Sequence, residues 1–299
     1  MVLTKRPVHI PDVRADPDYE WGAIHFRTLL SVPVLVEDDL VGVIGAARDE
    51  HHPFVDSEID VLATFADQSA IAIANSKLFE TVERQRAELA RFLSPEVAAL
   101  VSSEDGAALL AGHRAHISVL FLDLRGFTAF TRDAEPEEVI EVLGEYHAAA
   151  GELIGEYGGT VEHFAGDGIM VFFNDPVPLP QHELRAARLA CAMRERIAEL
   201  SAAWDRRGYR LGFGAGLDVG HATLGRIGFE GRYDYAALGT VANLASRLSD
   251  EAKPGQIVVS QRALAALDKH VEAEPLPELR LKGFERPVNA WSLQRVVDA

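Results

Sequence analysis

Apolar and polar positions recur along this chain with changing periods, and the changes mark its elements. Between residues 29 and 48, LLSVPVLVEDDLVGVIGAAR carries two β-branched-rich apolar runs around Asp38-Asp39, which predicts a hairpin turning at that pair. Beyond Pro53 the period lengthens. Ile59, Leu62, Ala63, Ala66, Ala70 and Ile73 share one helical face, with Asp56 or Ser57 as the cap and Asp60 as a first-turn acid. From Asn75 to Phe92 there is no Gly or Pro, and Leu78, Val82, Gln85, Leu89 and Phe92 recur at alternating steps of four and three. That spacing fits a parallel coiled coil with a polar layer at Gln85, or else an exposed spacer helix. Ser94-Pro95-Glu96 restarts a short helix, and SSEDG at 102–106 predicts a turn.

A third pattern begins near His113. ISVLFLDL at 117–124 reads as a buried strand, and Pro136 to Tyr157 as an amphipathic helix stopped by Gly158-Gly159. TVEHF at 160–164 and IMVFF at 169–173 form a hairpin through Ala165-Gly166-Asp167-Gly168. A helix from about His182 to Arg207 then leads to the strand LGFGAGLDV at 211–219. The order βαββαβ is that of a ferredoxin-like split unit, an α/β (α+β) fold. The expected organisation is a small α/β unit over 1–76, a coupling segment over 77–112 and a larger α+β domain over 113–299.

A right-handed crossover makes strands one and two parallel, and the third slots between them, antiparallel to both. The end of strand one then adjoins the start of strand three. Asp123 and Asp167, 44 positions apart, are thereby brought to one sheet edge. Two close carboxylates repel unless a cation joins them, and hard oxygen ligands suit Mg²⁺ or Mn²⁺, two of which, roughly 3.5–4 Å apart, would polarise both ends of a phosphoryl displacement. Strand-end turn aspartates are the alternative. Leu124-Arg125-Gly126-Phe127-Thr128 forms a tight turn that either cradles a phosphate on backbone N–H groups or supplies an N-cap from Thr128 or Thr131. Downstream, in ALGTVANLASRLSD, Asn243 and Arg247 lie four apart on one helical face, while Leu244 and Leu248 pack inward. Arg247 can neutralise charge on a phosphate and Asn243 can position a ribose, or the two form a surface polar pair.

Charge and composition narrow the partners. With 29 Lys and Arg against 46 Asp and Glu, the formal charge is −17, which argues against general binding to nucleic acid or an anionic membrane. At 48% hydrophobic and 25% charged residues the chain is of ordinary globular make-up. Cys191 is the single cysteine, no run of some 18 uncharged apolar residues is present, and the start of the chain has no apolar signal-like stretch. The expectation is a soluble, cytoplasmic protein.

Taken together, FLDLRGFT at 121–128, HFAGDGIMVFF at 163–173 and TVANLASRL at 240–248 resemble the class III nucleotidyl cyclases, with similarity from about His113 to Leu293 that includes LKGFERPVNAWSL. The resemblance implies conversion of a nucleoside triphosphate to its 3′,5′-cyclic monophosphate and pyrophosphate. By motif, Asp123 and Asp167 bind the metal ions, with the Leu124 carbonyl as a further ligand. Gly126, Phe127 and Thr128 hold the β and γ phosphates, with Lys282 near the triphosphate. Asn243 orients the ribose and Arg247 stabilises the transition state. The family takes the aspartates from one protomer and the Asn/Arg helix from the other, so a head-to-tail homodimer is implied. At the two purine-reading positions this chain departs from the family's usual Lys with Asp or Thr, or Glu with Cys, and has His163 and Ala236. Neutral imidazole can donate to adenine or accept from guanine, and alanine offers no side-chain hydrogen bond, so base discrimination should be weak. ATP is favoured; a guanylate cyclase and a non-catalytic nucleotide-binding module are the alternatives. A diguanylate cyclase fits less well, because the hairpin reads AGDGI. The segments at 29–48 and 52–79 resemble the C-terminal half of a GAF domain, which implies a partial sensor or dimerisation unit upstream.

Overall fold

The computed structural model describes residues 5–16, 25–90, 94–101, 106–230 and 232–297, and the chain separates into two compact units at Leu89/Ala90. In the first unit, β1 (Val8–Ile10), β2 (Thr28–Val36) and β3 (Asp39–Arg48) form an antiparallel sheet followed by the helix α1 (Asp56–Ala90). Alternate residues of β2 point inward, so Leu30, Val32 and Val34 pack with Ala66 and Ala70 of α1, and the helical face read from the sequence lies against the same core. Two local expectations are corrected. The β2–β3 turn is Glu37-Asp38, at φ 49° and 76°, because a register shift after Val34 draws Asp39 into β3 opposite Val36. Two left-handed residues suit the twist of a two-residue hairpin. At the start of α1, Asp56 is already helical, so neither it nor Ser57 is the cap; the Val55 N–H donates instead to the Glu58 carboxylate at 3.0 Å, and the first-turn acids are Asp56 and Glu58 rather than Asp60.

Of the seam residues expected in α1, Leu78 and Val82 are 64% and 49% exposed and Gln85 is exposed too. The side chain of Leu89, residue 92 and residues 102–105 of the expected turn lie outside the described residues.

The second unit opens with α2 (Pro95–Val101), whose Val97 N–H donates to the Ser94 hydroxyl, and α3 (Gly106–Leu110). There follow β4 (His113–Arg125), α4 (Phe127–Asp133), α5 (Pro136–Tyr157), β5 (Thr160–Ala165), β6 (Gly168–Phe173), α6 (His182–Arg206), β7 (Gly212–Phe229), β8 (Arg232–Leu238), α7 (Thr240–Glu251), β9 (Gln256–Ser260), α8 (Gln261–Leu267), a 3₁₀ turn at Asp268–His270, β10 (Val271–Pro275) and β11 (Ala290–Val296). The sheet runs β10-β11-β9-β7-β4-β6-β5, with β8 paired to β7. β6 lies between β4 and β5 and antiparallel to both, the arrangement the crossover rule predicts. α5 begins with a capping box between Glu135 and Glu138 and Pro136 in its first turn, and stops at Gly158 in the left-handed region.

Leu120, Leu122 and Leu124 of β4 pack with Val142 and Tyr146 of α5 and Ala187 and Met193 of α6, while Ile117 and Val119 face α2 and α7 on the opposite side. β7 extends ten residues past Val219 as an arm paired with β8. Much of that arm is exposed and holds glycines, so no continuous apolar run announces it.

Candidate active site

The end of β4 and the β5–β6 turn meet as the topology requires. Leu122 pairs with Ile169, so Asp123 stands beside the turn that carries Asp167. The two carboxyl groups hydrogen-bond to each other, and the Leu124 N–H donates to Asp167 Oδ2 at 3.3 Å. Burial pushes the Asp123 carboxyl up to about 7; the bond and charge of Asp167 add to the rise, and Arg125 opposes it. Partly buried and set against a second acid, Asp123 holds its proton to a higher pH than an ordinary aspartate, and a cation would relieve the same repulsion.

Three neighbours were not singled out in the sequence. The Arg125 guanidinium lies 3.1 Å from Asp123 Oδ2 and also donates to the Ser249 carbonyl near the end of α7, so it ties the aspartate to that helix. His147 of α5 donates from Nε2 to the Gly166 carbonyl at 3.1 Å, and its ring lies 4.8 Å from that of Phe164, which fixes the turn that presents Asp167. Tyr146 is fully buried, its hydroxyl lacks a partner among the described residues, and it lies within electrostatic reach of both aspartates. The orphan hydroxyl and the paired acids are the features expected of a site completed by a divalent cation and its water. Arg125 sits inside FLDLRGFT, where its place in the turn was the available signal; His147 and Tyr146 carried only the signal of helix periodicity.

Gly126 caps α4 at φ +88°, and a Cβ there would stand 2.6 Å from the Arg210 carbonyl, so conformation and space both demand glycine. Phe127 is buried against Phe130, whereas Thr128 is exposed. Neither threonine caps the helix, which removes the N-cap reading; the Thr131 hydroxyl donates instead to the Thr128 carbonyl.

On α7, Leu244 and Leu248 are buried and Asn243 is exposed without a side-chain partner among the described residues. Arg247 is half-buried and paired with Asp250 at 2.7 Å. Neither Asn243 nor Arg247 bonds to Asp123 or Asp167 within the chain. α7 lies close on β7 because Gly216 has no side chain: a Cβ would come within 2.2 Å of the Ala245 carbonyl oxygen and the Ser249 nitrogen. Lys282 is exposed in the loop beyond β10, next to Leu281, which packs with Leu244 and Leu248.

His163 and Ala236 come from strands that are not paired with each other, β5 at the sheet edge and β8 on β7. His163 is exposed on β5, and Ala236 lies on β8 opposite Gly225. A bulge at Glu162 joins the two strands through an Ala237 N–H that donates to the Glu162 carboxylate. Glu162 and His163 of β5 and Tyr235 of β8 border a cavity of about 490 Å³ that is lined also by Ile154, Gly155 and Phe164 but not by Ala236.

The family described as the adenylate and guanylate cyclase catalytic domain matches residues 110–295, and the GAF domain matches residues 1–73. The chain belongs to the adenylate and guanylate cyclase family, its catalytic-domain segment preceded by a GAF match. Among curated relatives, adenylate cyclase 1 of Rhizobium meliloti is 31% identical over 194 residues, which cover 63% of this chain and 29% of that protein. The adenylate cyclase of Anabaena cylindrica is 28% identical over 73% of this chain and 44% of its own length. The chain thus spans less than half of these relatives. Among solved structures, the adenylyl cyclase CyaB from P. aeruginosa is 30% identical at a TM-score of 0.60, and the guanylyl cyclase Cya2 is 33% identical at 0.59. Each match covers 62% of this chain, and 96% and 94% of the respective structures.

Proposed function

We propose that this chain is a nucleotidyl cyclase that converts ATP, in preference to GTP, to the 3′,5′-cyclic monophosphate and pyrophosphate, at a site shared by two copies in a head-to-tail homodimer. The observation that carries the reading is the pairing of Asp123 with Asp167 at one sheet end while Asn243 and Arg247 of the same chain bond to neither. Each half needs a complement, and a second copy supplies it.

The family uses divalent metal ions. In this chain Asp123, Asp167 and the Leu124 carbonyl would hold them, two Mg²⁺ or Mn²⁺ per site. When bound, such ions draw charge from the phosphates and favour loss of the ribose 3′-hydroxyl proton. The chain's own groups do the rest. Backbone N–H groups at Gly126, Phe127 and Thr128 receive the β and γ phosphates, with Lys282 near the triphosphate. Asn243 orients the ribose so that its 3′-oxygen lies in line with the α-phosphorus, and Arg247 exchanges Asp250 for the charge that builds as the bond to pyrophosphate breaks. His163 and Ala236 meet the purine. Adenylate cyclases among the relatives support ATP, while the 33% identity to a guanylyl cyclase keeps GTP as the second reading.

We assign residues 77–112 to coupling between a partial GAF-like unit over 1–76 and a catalytic domain over 113–299. Beyond Leu78 and Val82, α1 exposes Val61, Phe65, Ile71 and Phe79, an apolar supply that supports pairing with a second α1. Among the described residues no helix is long and apolar enough to cross a membrane, and a nucleoside triphosphate substrate supports a cytoplasmic location. The test is formation of cyclic nucleotide from ATP and from GTP with Mg²⁺ and with Mn²⁺, with Asp123→Ala as control. Product from ATP at the higher kcat/KM is expected. Absence of product from both substrates leaves a nucleotide-binding module, and activity surviving Asp123→Ala overturns the metal assignment.

A further inference from the structure

At the other end of β4 from Asp123 stands a group of side chains for which the cyclase reading has no use. His116 of β4 and His221 of β7 are direct cross-strand partners, with ring centroids 5.0 Å apart. The ring of His182, the first residue of α6, lies 5.4 Å from that of His116. His182 is buried, with Nδ1 on the Ser118 hydroxyl at 2.7 Å and Nε2 at 3.2 Å from Glu183 Oε1. One ligand atom from each of His116, His182 and Glu183 lies within 4.8 Å of the other two.

We propose that His116, His182 and Glu183 form a binding site for a divalent transition metal, of which Zn²⁺ is the representative. Two imidazoles and one carboxylate are a borderline donor set that suits Zn²⁺ and its neighbours rather than Mg²⁺. Ligands at about 2.0–2.1 Å from a tetrahedral ion stand roughly 3.3 Å apart, and the His182–Glu183 separation of 3.2 Å already matches that edge. In the tautomer that donates Nδ1–H to Ser118, the Nε2 lone pair faces the Glu183 carboxylate oxygen at 3.2 Å, and a cation is the group that would join the two acceptors. Ser118 then holds the ligand ring from its far side, as partners of metal-bound histidines do. His221, edge-on to His116, orients that ring, and solvent has access to the remaining coordination position because His116 is exposed. Seven residues of strand, about 23 Å, separate His116 from Asp123, so this site is distinct from the paired aspartates. A bound ion would tie the start of β4 to the start of α6.

The test uses the untagged full chain carrying Asp123→Asn and Asp167→Asn, so that the acidic pair does not compete, and titrates Zn²⁺ by calorimetry in millimolar Mg²⁺. One saturable Zn²⁺ per chain is expected, with a rise in melting temperature of the catalytic unit. His116→Ala and Glu183→Gln, both at side chains that are not fully buried, should each weaken binding about tenfold or more with an unchanged circular dichroism spectrum. Cu²⁺ bound in place of Zn²⁺ should show nitrogen hyperfine coupling that diminishes in His116→Ala. No saturable binding, or equal affinity in the double variant His116→Ala/Glu183→Gln, overturns the proposal and leaves Nε2–H of His182 donating to Glu183. Either result is independent of whether cyclic nucleotide is formed.

Discussion

Glu162 gives the sharpest test of the electrostatics on β5, the strand that carries His163. It is the extra residue of the β5 bulge, since Val161 pairs with Val171 and His163 with Met170. One carboxylate oxygen accepts the Ala237 N–H, and Oε2 is buried without a partner among the described residues. Burial lifts its pKa from the ordinary 4.5 to about 7, with Asp234 adding to the rise. In the native state the group therefore holds a proton that the unfolded chain releases near pH 4.5. Between those two values the native state binds more protons, so this group's contribution to stability falls as pH rises from about 4.5 to about 7 and stays low above. The full shift would correspond to about 3 kcal/mol, and solvent contact at a half-buried side chain reduces it to about 1–2 kcal/mol. Glu162→Gln keeps an acceptor for Ala237 and cannot ionise. The variant should match the parent near pH 4.5 and exceed it by about 1–2 kcal/mol at pH 8. Urea unfolding at both pH values, followed by fluorescence of the buried Trp204, measures this difference, and contributions from Asp123 cancel because both proteins share it. A Gln variant less stable than the parent at pH 8, or a difference unchanged between the two pH values, refutes the reasoning.

If the site is shared, Asp123→Ala and Arg247→Ala chains are each inactive, with Arg247→Ala lowering kcat about 100- to 1000-fold; co-expressed, they should regain about a quarter of parental activity, from the one intact site of each mixed dimer. No recovery in purified mixed dimers would show that one chain supplies every group. Gly216→Ala should cost about 1–3 kcal/mol and lower activity, because the new Cβ meets α7 backbone at 2.2 Å. Gly144→Ala, with nothing within 4 Å, should instead stabilise by about 0.5–1 kcal/mol; chemical denaturation compares the two. In α1, Gln85→Leu should strengthen dimerisation in analytical ultracentrifugation, whereas deletion of Glu83 turns the downstream helix by about 100° and should change turnover. Equal turnover in parent and deletion argues against rotational coupling.

What the sequence disclosed follows from which forces are local. The ends of α5 were legible because Pro136 and Gly158 act within one turn, and the meeting of Asp123 with Asp167 was legible because crossover handedness leaves one place for β6. The turn before β3 was misplaced by one residue because a register shift after Val34, a property of two paired strands, moved it. β7 and β8 were underread for the same reason, since an exposed arm is specified by pairing rather than by an apolar run. At the site the missed groups are those that act across elements: Arg125 reaches from β4 to α7, and His147 from α5 to the hairpin turn.

The electrostatics of a single chain are those of two unfinished halves. At the end of β4 Asp123 is pushed towards neutrality by burial, by Asp167 and by the charge of Asp250 on α7, with Arg125 to offset them. On α7 itself, Arg247 is occupied by its own Asp250. In the proposed dimer these costs fall together. Cations relieve the acids, and triphosphate charge draws Arg247 from a half-exposed ion pair of the kind that contributes at most about 1 kcal/mol. An arginine held by so weak a partner can be recruited late, as negative charge builds on the departing pyrophosphate, and an interaction gained at that stage raises kcat rather than ground-state affinity. Asp250→Asn should accordingly leave kcat nearly unchanged while Arg247→Ala lowers it. A loss in Asp250→Asn as large as that in Arg247→Ala would mean that the ion pair itself positions the arginine.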